Sequence, residues 1–212
     1  MRSAVGDGVA FEREDGVVGA RRLFSTADGL LVAHSCPGAP AAVSLVEVLV
    51  AAGVGTVLIL GEAGSVSPEV GVSDVVVPTF AVREEGTSYH YLPPGSTVKP
   101  SDSLLGRLRE LLSREGIPFK EGGVWTTDAP FRETPGKVLR YSKAGVLAVD
   151  MECSAVFSVA AYRKVDAAAV LVVVDTLWGG TWRPAFNDPR VVDVERRVSE
   201  LVAMEWGKLV VR

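Results

Sequence analysis

The sequence predicts an α/β fold built around a mixed or mostly parallel β-sheet. Three observations carry that prediction. Short Val-rich runs alternate with longer segments whose apolar residues recur at helical spacing. Two of the runs, 56–60 and 167–174, are apolar without a break, the pattern of strands covered on both faces. The helical segments carry helix boundaries: Pro40 and Asp188-Pro189 at starts, Gly53 and Gly116 at ends. Strands and helices alternating in this way build a sheet with helical layers.

Taken in order, residues 30–35 read as a strand and 40–52 as a helix that stops at Gly53. Residues 56–60 are the first doubly covered strand, and 74–77 and 80–83 read as further strand. Ser101 or Ser103 caps a helix carrying Leu104, Leu105, Leu108, Leu111 and Leu112, which Gly116 and Pro118 end. Residues 122–126 suit a strand, 151–163 a helix and 167–174 a buried strand. A last helix begins at Asp188-Pro189, with Val191, Val194, Val198, Leu201 and Val202 on one face.

At 212 residues, with no linker or repeat, the chain reads as one domain, 1–212. Its 48% hydrophobic content argues against disorder, and no apolar stretch approaches the roughly 18–20 residues of a membrane helix. A net charge of −4 argues against a general nucleic-acid binder. The N-terminal stretch lacks a signal-peptide core, so the expected location is cytoplasmic. The two cysteines, Cys36 and Cys153, are then reduced thiols, a bridge between them being the alternative. With only His34 and His90 available, a histidine-rich metal site is not expected.

Familiar catalytic motifs fail. Gly53-Val54-Gly55 precedes a strand instead of following one and reads as a helix end and turn. Neither a GxxxxGK[ST] phosphate loop nor a GxSxG nucleophile elbow occurs. Three polar sites remain at the ends of apolar runs. Gly61-Glu62-Ala63-Gly64-Ser65 follows the 56–60 strand and is either a tight turn or a backbone cradle for an anion or sugar. Asp150-Met151-Glu152 lies where an apolar segment enters a helix. Asp150 suits a cap, whereas Glu152, with apolar neighbours, needs donors such as a ribose diol. Asp175 ends the 167–174 strand and is either a turn cap or, desolvated there, a general acid.

Together with Val72-Ser73-Asp74-Val75-Val76-Val77-Pro78, Glu85-Gly86-Thr87-Ser88-Tyr89-His90-Tyr91 and Thr126-Thr127-Asp128-Ala129-Pro130-Phe131-Arg132-Glu133, these segments resemble, in order and rough spacing, the nucleoside phosphorylase family. That family includes purine nucleoside and uridine phosphorylases, methylthioadenosine phosphorylase and the related nucleosidases. The resemblance implies a three-layer α/β/α fold with a central mixed, partly barrel-like sheet. It implies cleavage of the N-glycosidic bond of a nucleoside, most simply phosphorolysis of a purine nucleoside to base and ribose 1-phosphate. No cofactor is implied, and inorganic phosphate is the co-substrate. The expected partner is a small-molecule nucleoside, with no nucleic acid and no membrane, in a homo-oligomer of two, three or six chains.

By position, the resemblance makes Glu152 and Met151 the ribose-binding pair and Asp175 the acid at N7 of a purine. Phe131 and Arg132 are placed at the base, and Gly61, Glu62 and Asp150 complete the implied binding set. The phosphate positions depart from the family pattern. Ile59 stands where an arginine is usual and Glu62 where threonine is frequent. Gly6-Asp7-Gly8 is at best a remnant of the usual phosphate segment, and Pro37-Gly38-Ala39-Pro40 replaces a Gly-Gly-Pro-Ser-like turn. Arg21, Arg22 or a neighbour's Arg83 are the candidate replacement cations. A carboxylate about 4 Å from a phosphate opposes it by about 4 kcal/mol per unit charge at an effective dielectric near 20. The alternatives are therefore a phosphate-independent nucleosidase in which Glu62 activates water, a uridine phosphorylase, or a non-catalytic nucleoside binder. The glutamate that nucleosidases of the family use on the first strand has no clear equivalent here, and Glu12 and Glu14 stand in a polar stretch that reads as a solvated face.

Overall fold

The computed structural model describes residues 10–11, 20–26 and 29–210. Gly6-Asp7-Gly8, Glu12 and Glu14 lie outside the described residues, as does the side chain of Arg21. The strands are β1 (Ala10–Phe11), β2 (Ala20–Ser25), β3 (Leu31–Ser35), β4 (Thr56–Ser65), β5 (Val75–Glu84), β6 (Lys120–Thr127), β7 (Val146–Asp150), β8 (Asp166–Thr176) and β9 (Arg183–Pro184). The helices are α1 (Ala39–Ala51), α2 (Asp102–Arg114), α3 (Pro135–Lys143), α4 (Cys153–Arg163) and α5 (Pro189–Leu209), with 3₁₀ turns η1 (Thr87–His90) and η2 (Pro130–Arg132).

The main sheet runs β4-β7-β6-β5-β8, and β8 pairs back onto β4 to close a five-stranded barrel-like sheet, with β9 hung on β8. It is mixed. β4–β8, β5–β6 and β6–β7 are parallel, whereas β4–β7 and β5–β8 are antiparallel. β1, β2 and β3 form a separate antiparallel sheet.

Helices cover both faces, giving three layers. α1 and α4 bring Val43, Val46 and Phe157 against Ala169, Leu171 and Val173 of β8. α2 and α5 bring Leu104, Leu108, Leu112, Val198 and Val202 against Ala168 and Val170 of the same strand. The two-residue period of a strand sends alternate side chains to opposite layers, so both must be apolar. α2 is held by packing: Ser101 stands at its N-cap without a side-chain cap bond. Its five buried leucines each contribute about 1.5–3 kcal/mol. No helix among the described residues is long and apolar enough to cross a membrane.

Several boundaries differ from the sequence reading. The glycine segment 61–65 continues β4 as strand, because small residues let β4 close against β8 and β7: a Cβ on Gly61 would meet the Leu171 side chain. The two short runs around Pro78 form one strand, β5, with a register shift between Pro78 and Phe80 that accommodates the missing N–H. The Asp150-Met151-Glu152 segment is the end of a strand, β7, and a two-residue turn, with α4 starting at Cys153. α3, β2 and β9 had no counterpart in the sequence reading.

Candidate active site

β4 sits between the ends of β7 and β8: Gly64 is in register with Val149 on one side and Asp175 on the other. The closeness is visible at Gly64 itself. A Cβ there would lie 2.8 Å from Asp175 Oδ1, 2.6 Å from the Leu177 side chain and 3.2 Å from that of Val149. The strand closure therefore brings the Asp150-Met151-Glu152 turn and Asp175 to one edge of the barrel, the carboxyl end of β7 and β8. Carboxyl ends of strands are where ligands gather in α/β folds.

Asp150 is buried with both oxygens in use. Oδ1 accepts from Thr126 Oγ1 at 2.7 Å, and Oδ2 accepts the Cys153 and Glu152 N–H groups at 2.7 and 3.3 Å. Thr126 Oγ1 in turn accepts the Ser154 N–H, and Ser154 Oγ donates to the buried Glu85, which also accepts the Ser88 N–H. This chain pins the first turn of α4 to β5 and β6. Burial raises the pKa of Asp150, and the hydrogen bonds it accepts pull the other way. Cys153 is fully buried beside it, and burial pushes its thiol well above the usual range. Cys36 and Cys153 are both free.

Glu152 is the N-cap residue of α4, and its side chain reaches across to the start of α1. Oε1 accepts the N–H of Gly38, the α1 N-cap residue, at 2.5 Å, and Oε2 accepts the Met151 N–H at 3.2 Å. The carboxylate thus lies at the positive ends of two helices. Gly38 has φ 99°, a left-handed conformation that suits glycine. Burial raises the Glu152 pKa most, the Gly38 N–H lowers it, and the charge of Asp150 raises it.

Asp175 is half-buried, and burial raises its pKa, opposed by a hydrogen bond from Trp182 Nε1. Trp182 reaches it because β9 folds back along β8, placing Pro184 opposite Asp175 and Arg183 opposite Thr176. Glu133, next after η2, feels the charge of Asp175, and its pKa rises to about 7, chiefly through burial.

The other expected residues fall elsewhere. Glu62 is exposed and meets Glu195 of α5. It shares strand parity with Leu58 and Leu60, which pack on the α2/α5 side, while Ile59 packs in the α1/α4 cluster. Gly61 lies opposite Leu171, well back from Asp175. Met151 is partly buried in the turn. Phe131 and Arg132 are on η2, Phe131 fully exposed. Arg83 is committed within its own chain, donating to Ser88 Oγ and to the carbonyls of Pro93 and Leu92, and stacking on Tyr89. Arg22 is exposed on β2. Glu133 had no role assigned from the sequence, and the bond from Trp182 to Asp175 was not foreseen there. Glu133 and Gly64 stood inside quoted motifs, whereas Trp182 depends on a hairpin that no local pattern announces. Among the described residues, no group of three or more His, Cys, Asp or Glu is placed to hold a metal ion.

A closed mixed barrel between helical layers, with buried and half-buried carboxyl groups gathered at its strand ends, defines the class: a three-layer α/β protein with a mixed, barrel-like sheet. The chain matches the phosphorylase superfamily over residues 11–204 and belongs to that family. A guanosine phosphorylase from Halorubrum lacusprofundi is 31% identical over 151 residues, covering 71% of this chain and 63% of that protein. A DeoD-type purine nucleoside phosphorylase from Caldanaerobacter subterraneus is 30% identical over 142 residues, covering 63% of this chain and 58% of that protein. The chain thus spans less than two thirds of these relatives. Among solved structures, uridine phosphorylase from Vibrio fischeri shares the fold with a TM-score of 0.79 at 22% identity, over 96% of this chain and 84% of that one. Purine nucleoside phosphorylase from Toxoplasma gondii in complex with immucillin-H does so with a TM-score of 0.79 at 22% identity, over 93% and 79%.

Proposed function

We propose that the protein cleaves purine nucleosides by phosphorolysis, releasing the free base and ribose 1-phosphate. The observation that carries this reading is Asp175, a partly desolvated carboxyl group at the end of β8 whose pKa is raised by burial. A purine leaves readily once N7 accepts a proton, and burial shifts this carboxyl group toward its protonated form. Family membership and the relatives named as guanosine and purine nucleoside phosphorylases support the same reaction.

In this reading Glu152 receives the 2′- and 3′-hydroxyls of the ribose, exchanging the Gly38 or Met151 N–H for them, and its charge stabilises positive charge at C1′. Met151 packs against the sugar, and Phe131 and Arg132 approach the base. Asp150 holds the turn that aims Glu152, and Gly61 gives β4 its close packing on β8. Glu62 takes no part, and its position against Glu195 supports phosphate as the nucleophile, because its charge is directed to the α5 side. The cation facing phosphate is then Arg22 or a group from another copy.

The reading places the protein in purine salvage in the cytoplasm, as a homo-oligomer. Fully exposed Phe131 and largely exposed Trp182 are aromatic surfaces that a second copy would cover.

The test is purine release from inosine and guanosine in phosphate buffer, beside uridine as the pyrimidine control. The wild type should release purine faster than uracil, and Asp175→Asn should cut purine release by roughly 10²-fold. An unchanged kcat/KM in Asp175→Asn would remove the acid from the mechanism.

A further inference from the structure

The two oxygens of the Asp175 carboxyl group have different surroundings. Trp182 Nε1 donates to Oδ2 at 2.5 Å. Oδ1 lies on the β4 side, 2.8 Å from the point where a Cβ on Gly64 would stand. The hairpin that carries Trp182 is tied down on both flanks. On the outgoing side the Leu177 N–H donates to the Ser65 carbonyl of β4 at 2.9 Å, and on the return the Ala185 N–H donates to the Val174 carbonyl of β8 at 2.8 Å. Gly179 and Gly180 turn the chain between these anchors, at φ 87° and 80°. The Trp182 ring is 60% exposed, with Phe186 as a ring neighbour at 6.3 Å between centroids. Its placement therefore gains little apolar burial, whereas its one polar atom is bonded. An indole N–H only donates, so Oδ2 is held as an acceptor.

Resting on the phosphorolysis reading, we propose that Trp182 is a positioning residue for protonation of the leaving base: its N–H reserves Asp175 Oδ2 as an acceptor, so the proton delivered to the purine is carried on Oδ1. As the C1′–N9 bond breaks, its electron pair passes to the purine and the Oδ1 proton passes to N7, so the base leaves neutral. A phosphate oxygen forms the new bond to C1′. Asp175 is left as a carboxylate and takes a new proton from solvent after the base has gone. The Trp182 bond strengthens during the transfer, because a hydrogen bond to an ionised acceptor is about twice as strong as one to a neutral acceptor. It therefore stabilises the transition state more than the bound substrate, and its loss falls on kcat. The opposition at Asp175 follows the same logic. Burial raises its pKa and keeps the proton on, while the Trp182 bond lowers it and lets the proton go.

The experiment is a double-mutant cycle on guanosine cleavage in phosphate buffer, with the wild type, Trp182→Phe, Asp175→Asn and the double variant. Phenylalanine keeps an aromatic ring beside Phe186 and removes the N–H. Trp182→Phe should lower kcat at least about tenfold and leave KM within about threefold. In the Asp175→Asn background the same substitution should cost less than about twofold, because no proton remains to be delivered. Equal losses in the two backgrounds, a loss confined to KM, or an unchanged kcat in Trp182→Phe would overturn the role of Trp182 and leave phosphorolysis standing. An Asp175→Asn protein as active as the wild type would remove the acid and its positioning residue together. No phosphate-dependent purine release by the wild type would overturn phosphorolysis and the proposal with it.

Discussion

At the scale of single residues, the site is decided by which polar groups are desolvated and which positions are empty of side chain. Asp150 and Glu152 are two residues apart, yet they do different work. Asp150 is consumed by Thr126 and the start of α4, while Glu152 is held by the N–H groups of Gly38 and Met151. The sequence showed that both are carboxylates at a helix start and that Asp150 suits a cap, but the reach of Glu152 to Gly38 spans 114 positions and leaves no local trace. Gly64 matters by absence of bulk, since Asp175, Leu177 and Val149 crowd the space where its Cβ would stand. Gly64→Ala should therefore displace Asp175, lowering kcat on purine nucleosides at least tenfold, with an overpacking cost of about 1–3 kcal/mol in denaturant unfolding. A stable, fully active Gly64→Ala protein would show that β4 does not set the position of Asp175.

At the scale of elements, the two junctions that matter are the start of α4 and the hairpin of β8 with β9. The first is built by a buried polar chain, and its middle link is testable. Thr126→Val keeps the shape of the side chain but leaves the Ser154 N–H and one Asp150 oxygen without their bonds. The loss should be roughly 2 kcal/mol or more in stability, with a rise in KM for nucleoside as the Glu152 turn loosens. Unchanged stability would mean the chain is not holding α4. The same scale shows why some elements were legible and others were not. The runs 56–60 and 167–174 and the Leu-rich helix α2 announce themselves because packing on two faces or one stripe demands continuous or periodic apolar residues. α3 buries only Val138 and Tyr141, too few to give a period, and β9 is two residues long. Gly61 to Ser65 looked like a turn because glycine is the turn residue, whereas here it serves the close contact of strands. The resemblance set Glu62 among the binding residues at a phosphate position; as part of a continuing strand its side chain follows Leu58 and Leu60 toward α5.

At the scale of the whole molecule, barrel closure brings residues from β4, β6, β7, β8 and the turns after them to one edge, while the helical layers keep the strands dry. The mixed, partly barrel-like sheet came from the resemblance, since apolar periodicity left it mixed or mostly parallel; the α/β class and the location of the carboxylates at the ends of apolar runs were legible from that periodicity. Closure was not, because register and pairing across 110 positions, as between Thr56 and Asp166, have no signature in one strand. Phosphorolysis is the central claim, and the identity of the nucleophile tests it most directly. Ile59 leaves the usual arginine position apolar, which favours water, while Glu62 turned to α5 favours phosphate. The measurement is the rate of purine release from guanosine with and without inorganic phosphate, with the sugar product identified. The account predicts release only with phosphate, together with ribose 1-phosphate. A rate indifferent to phosphate, yielding free ribose, would contradict it.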